Sequence, residues 1–96
     1  MYERALKRIQ KKVRQRQYVM TLHADEEMDE DDLTIFDVER AILTGKIIER
    51  QKDTETKEWK YLVRGKTVDE ETMIVVVNKF GKASKLVIIT VYVDND

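Results

Sequence analysis

The stretch TIFDVERAILTGKIIERQ, residues 34–51, contains the change of period that decides the fold. Before Gly45, the apolar residues Ile35, Val38, Ala41 and Ile42 recur at helical spacing; after it, the pattern turns alternating or continuously apolar. Thr34 with Asp37 three residues later approximates a capping box with the shorter acid in place of Glu, so a helix is expected at about 35–44. Gly45 stands where a left-handed residue commonly closes a helix.

Working outward from Gly45 toward the C-terminus, four segments read as strands: Lys46–Gln51, Glu58–Arg64, Thr72–Lys79 and Lys85–Val93. The polar connections between them are hairpin candidates, and two contain a glycine, as turns needing positive φ prefer. Met73–Val77 and Leu86–Val91 are apolar on both parities, which predicts central strands covered over most of both faces. Glu58–Arg64 alternates, with Trp59, Tyr61 and Val63 on one side and Lys60, Leu62 and Arg64 on the other.

Toward the N-terminus, Tyr2, Leu6, Ile9 and Val13 mark a helix over residues 2–16. Tyr18 to Leu22 reads as a short strand or as a linker into a second helix at about 23–31, where Ala24 and Met28 give a weak apolar face. Three helices followed by four strands predict an α+β domain, its helices packed on one face of a four-stranded, mainly antiparallel sheet. At 96 residues there is room for one domain, and none for a large multi-step enzyme.

The net charge of −1 argues against a nucleic-acid binder built on bulk positive charge, yet it conceals segregated blocks. Residues 1–17 carry +6, residues 23–39 hold nine carboxylates without a Lys or Arg, and residues 40–66 carry +4. Basic helix 1 and the acidic segment 25–32 can therefore attract each other within one chain or between two copies. With no cysteine, the chain has no disulfide framework or thiol nucleophile, and a cytoplasmic location is the expectation. Its longest apolar runs are far too short for a membrane span.

Few chemistries fit. His23 is the only histidine, the glycines at 45, 65 and 81 are isolated, and Ser84 lacks a nucleophile-elbow context, so neither a metal nor a nucleotide cofactor nor a serine hydrolase is expected. His23 with Glu26 can form an acid–base pair, although single histidines more often pack or cap at a helix start. The basic strands carry more weight: Lys46, Arg50, Lys60 and Arg64 can present one cationic surface, with Tyr61 and Tyr92 supplying hydroxyls. Metal-free cleavage of RNA by its own 2′-hydroxyl needs a base, an acid and cations for the transition state, and these side chains can fill those roles. Strand lysines and arginines also serve plain solubility and edge protection.

His23-Ala24, Met28, Leu33-Thr34, Asp37-Val38, Gly45-Lys46-Ile47-Ile48, Tyr61-Leu62-Val63, Gly65 and the closing Val87-Ile88-Ile89-Thr90-Val91-Tyr92 follow one another in an order that resembles the domain of unknown function 4258 family, over about residues 18–93, which makes residues 1–17 a basic helical extension outside the family-like core. The resemblance implies a RelE-like ribonuclease-toxin fold and metal-independent RNA cleavage, silenced by an antitoxin-like protein partner. On this reading His23, Lys60, Arg64 and Tyr92 are the catalytic candidates, and Lys46, Arg50 and Tyr61 bind RNA. A non-catalytic protein-binding module of the same fold is the alternative. Where the family pattern commonly has two arginines, this chain has Glu27 and Asp31, which shifts any phosphate contact toward the sheet and helix 1.

Overall fold

The computed structural model describes residues 1–95. Helix α1 (Glu3–Arg14) buries Ile9 and Val13 in the same core as the rest of the chain. At its end Arg16 takes a positive φ of 56° and turns the chain into strand β1 (Tyr18–Met20). Thr21 then caps helix α2 (Leu22–Glu30) by accepting from the Ala24 N–H at 3.1 Å, and its hydroxyl donates to the Ile89 carbonyl at 2.9 Å. Helix α3 (Ile35–Thr44) starts on the expected capping box: the Thr34 N–H donates to Asp37 at 3.0 Å, and the Asp37 N–H donates to the Thr34 hydroxyl at 3.3 Å. The other Asp37 oxygen accepts from the Val68 N–H at 3.0 Å. Partial burial pushes this carboxyl up, but the N–H groups of Thr34 and Val68 outweigh it and hold the group below its ordinary range.

Strands β2 (Lys46–Lys52), β3 (Trp59–Lys66), β4 (Met73–Phe80) and β5 (Leu86–Val93) follow as antiparallel hairpins. The sheet has five strands in the order β1-β5-β4-β3-β2, where four were expected, and it is mixed, because β1 runs parallel to β5 with Tyr18 opposite Leu86. Three residues are too few for alternation to mark a strand, so pairing with β5 decides what periodicity could not. Beyond β1, the free edge of β5 is covered from α2: Glu27 Oε1 accepts from the Val91 N–H at 3.1 Å. An arginine has no acceptor to offer that N–H.

The glycines also work differently from the expectation. Gly45 is extended at φ −93°, and every positive-φ residue is a non-glycine, among them Asp32, Lys57, Glu70 and Ser84. What demands glycine is proximity. A Cβ on Gly45 would lie 2.4 Å from the carbonyl oxygens of both Ala41 and Arg64, and one on Gly65 would lie 2.0 Å from that of Ala41. Helix α3 thus rests backbone to backbone on β3. Two of its last carbonyls are satisfied from α1, where the Gln10 amide donates to Ile42 at 3.1 Å and Leu43 at 3.3 Å.

The core lies between the helices and one face of the sheet, where Val63, Ile74, Val76, Leu86, Ile88 and Val91 meet Ile9, Val13, Ala24, Met28, Val38 and Ile42. The other face carries no helix, yet Leu62 and Val75 on it are buried. Long side chains on the neighbouring strands shield them. Among the described residues no helix is long and apolar enough to cross a membrane.

Candidate nucleic-acid interface

Residues opposite one another in a β-ladder share a face. The register places Lys46 opposite Arg64, Arg64 opposite Val75 and Val75 opposite Tyr92, so these four form one row across β2, β3, β4 and β5 on the open face. At a strand spacing of about 4.8 Å, the backbone of Tyr92 lies about 10 Å from that of Arg64 and about 14 Å from that of Lys46. One end of the row opens into a groove of about 510 Å³, lined among others by Lys46, Ile48, Arg64, Lys66, Glu70 and Met73. Three cations and one carboxylate give it a positive balance. Arg64 is half-buried, and its Nε donates to Asp94 Oδ2 at 2.5 Å. This ion pair offsets part of its charge.

Lys66 escapes a reading that ends the third segment at Arg64, although the alternation Lys60, Leu62, Arg64, Lys66 continues through Gly65 and would have included it. Lys60 lies on the same face but four residues, about 13 Å, along β3 from Arg64. There its ammonium is 3.7 Å from Asp53, and the adjacent Lys79 donates to Glu58 at 3.1 Å. The Asp53 carboxyl is held below its ordinary range by the N–H groups of Thr56 and Glu55, which close the β2–β3 turn on it.

Arg50 and Tyr61 face the helices instead. A bulge between Ile47 and Glu49 inserts a residue into β2, so Lys46 and Arg50, four apart, fall on opposite faces. The Arg50 guanidinium stacks 3.9 Å over Trp59 and 5.5 Å from Tyr2, while Tyr61 meets Phe80 edge-on at 6.0 Å and Arg8 lies 4.1 Å over Phe80. The four basic strand residues therefore do not make one surface.

His23 lies exposed in the first turn of α2 and does not line the groove. Its carboxylate neighbour is Glu27, 3.4 Å from Nε2, in place of the expected Glu26. Spacing i, i+4 brings the two together, and the Val91 N–H holds Glu27 in position. Tyr18 donates a 2.5 Å hydrogen bond to Glu39, and burial, reinforced by that carboxylate, keeps its hydroxyl protonated far above the ordinary range. Its role is to join β1 to α3. Among the described residues no ion pair links α1 to residues 25–32. Nor does any group of three or more His, Asp or Glu side chains among them stand ready for a metal ion.

The family model described as "Domain of unknown function (DUF4258)" matches residues 20–93, from the end of β1 to the end of β5. No curated protein and no solved structure matches the chain.

Proposed function

Because the chain belongs to this family of unknown function, its own surface has to carry the reading, and we propose that it is a RelE-like, metal-independent endoribonuclease of toxin type that holds RNA on the open face of its sheet. The observation that supports this is the cross-strand row, which puts Lys46, Arg64 and Tyr92 on one uncovered face beside a groove that also holds Lys66. Lys46, Arg64 and Lys66 bind the scissile phosphate and its neighbour and stabilise the extra negative charge of the transition state. The 2′-hydroxyl loses its proton as its oxygen attacks phosphorus, the bond from phosphorus to the 5′-oxygen breaks and that oxygen takes up a proton, so the products are a 2′,3′-cyclic phosphate and a 5′-hydroxyl, with no water or metal consumed. The Tyr92 hydroxyl, itself in the row, supplies the proton to the 5′-oxygen and is restored from solvent, which also takes the proton of the 2′-hydroxyl. Lys60, farther along β3, extends the cationic track. A protein partner of antitoxin kind silences the domain by covering this face.

The test is incubation of purified protein with single-stranded RNA in EDTA. Cleavage to cyclic-phosphate ends, abolished in Lys46→Ala/Lys66→Ala and in Tyr92→Phe, is the expected result; intact RNA, or cleavage indifferent to all three changes, overturns it. Two observations favour a second reading, a non-catalytic binding module. Asp94 already pairs with Arg64, and His23 does not line the groove. On that reading RNA or a protein partner binds the same face without bond cleavage.

A further inference from the structure

Three large apolar side chains stand exposed around one shallow groove on the outer side of α3: Phe36 at 63%, Val68 at 56% and Leu43 at 37%. Glu39 and Arg40 complete its lining, and its volume is about 570 Å³. Scattered apolar residues on a surface are ordinary, but three sharing a groove mark an interaction site.

The order of residues on α3 identifies the occupant. Phe36 and Leu43 are seven apart on one stripe, and between them Glu39 stands three residues after Phe36 and Arg40 three residues before Leu43. The pattern is palindromic in chemistry: apolar, acid, base, apolar. A two-fold axis through the midpoint between residues 39 and 40 sets Phe36 of one copy against Leu43 of the other, and Glu39 against Arg40. An interface related by such an axis must be self-complementary in this way, whereas a foreign partner imposes no palindrome. The charged pair is available for the exchange. Arg40 reaches Glu70 only at 3.8 Å with both side chains exposed, a weak link, and Tyr18 uses only Oε2 of Glu39.

We propose that this face of α3 docks against the same face of a second copy, forming a two-fold dimer of antiparallel α3 helices. This route differs from association of α1 with the acidic segment, which rests on charge alone.

Sedimentation equilibrium on the full chain tests it. The wild type is expected to dimerise with a dissociation constant in the micromolar range, and Phe36→Asp, an exposed position that leaves folding intact, to raise that constant at least about tenfold. Register is read separately by oxidising Phe36→Cys/Leu43→Cys in this cysteine-free chain. Along one helix these positions are about 10.5 Å apart, beyond the roughly 7 Å a disulfide spans, so every bridge between them is intermolecular. Bridges of 36 to 43 support the proposal. A wild type that stays monomeric at millimolar concentration overturns it, as does a dimer that salt dissociates and Phe36→Asp leaves intact, or bridging mainly of 36 to 36 and 43 to 43. A different protein bound at this groove by a monomeric chain also overturns it.

Discussion

The two faces of the sheet are built from the same strands, and they solve burial differently. On the helix face, Val76 is 0% exposed because side chains from the helices close over it; on the open face, Val75 is 1% exposed with no second layer above it. Its cover is the row itself, Arg64 on one side and Tyr92 on the other. On the first face the covering layer is held close, because the backbone of α3 lies directly on β3. On the second, burial depends on long side chains that a ligand can displace, so the strands that pack the core can offer a cationic track without exposing an apolar slab.

The largest expected effect tests how rigid the first face is. Gly65→Ala places a methyl 2.0 Å from a backbone oxygen that cannot rotate away, so α3 must lift off β3. A loss of about 4 kcal/mol or more in urea unfolding is expected; under about 1 kcal/mol would show that the helix is not held there. Next, Val76→Ala and Val75→Ala compare equally buried valines on the two faces. The first leaves a cavity among fixed neighbours and should cost about 2–3 kcal/mol. The second lets Arg64 and Tyr92 settle inward and should cost about 1 kcal/mol. Equal costs would erase the distinction between the faces.

Much of the helix face was legible in the sequence and much of the open face was not. Thr34, Asp37 and the stripe through Ile42 mark α3 because capping and amphipathic periodicity are local. Gly45 was legible as a helix end, but its reason, the approach of Ala41 and Arg64, is tertiary. The three residues of β1 carry no period, and their strand exists through pairing with β5. The candidate site depended on parity, and the bulge at Ile47/Glu49 reverses it, sending Arg50 to the aromatic cluster of Trp59 and Tyr2. No local signal in KIIERQK announces that extra residue.

Asp37 provides the next test, since it ties the helix layer to the β3–β4 connection through separate oxygens. Asparagine keeps only one acceptor oxygen, so Asp37→Asn should lose about 1 kcal/mol at neutral pH. The folded carboxyl lies below its ordinary range, so its contribution is complete above the unfolded value of about 3.9 and fades as pH falls through the folded one. Wild type and variant should therefore converge in stability in acid, and a gap that persists there would assign the loss to geometry instead of charge.

The smallest effect on stability carries the most information about the open face. Lys46 and Lys66 are exposed and make no ion pair among the described residues, so Lys46→Ala/Lys66→Ala should leave stability within about 0.5 kcal/mol of wild type. If the groove beside them takes phosphates, the same change should weaken single-stranded RNA binding and reduce the slope of log affinity against log salt by about 0.7 for each phosphate that is no longer neutralised. An unchanged slope would mean that these lysines serve solubility. The open face would then be a sheet surface shielded by its own side chains, and the contrast with the helix face would concern stability alone.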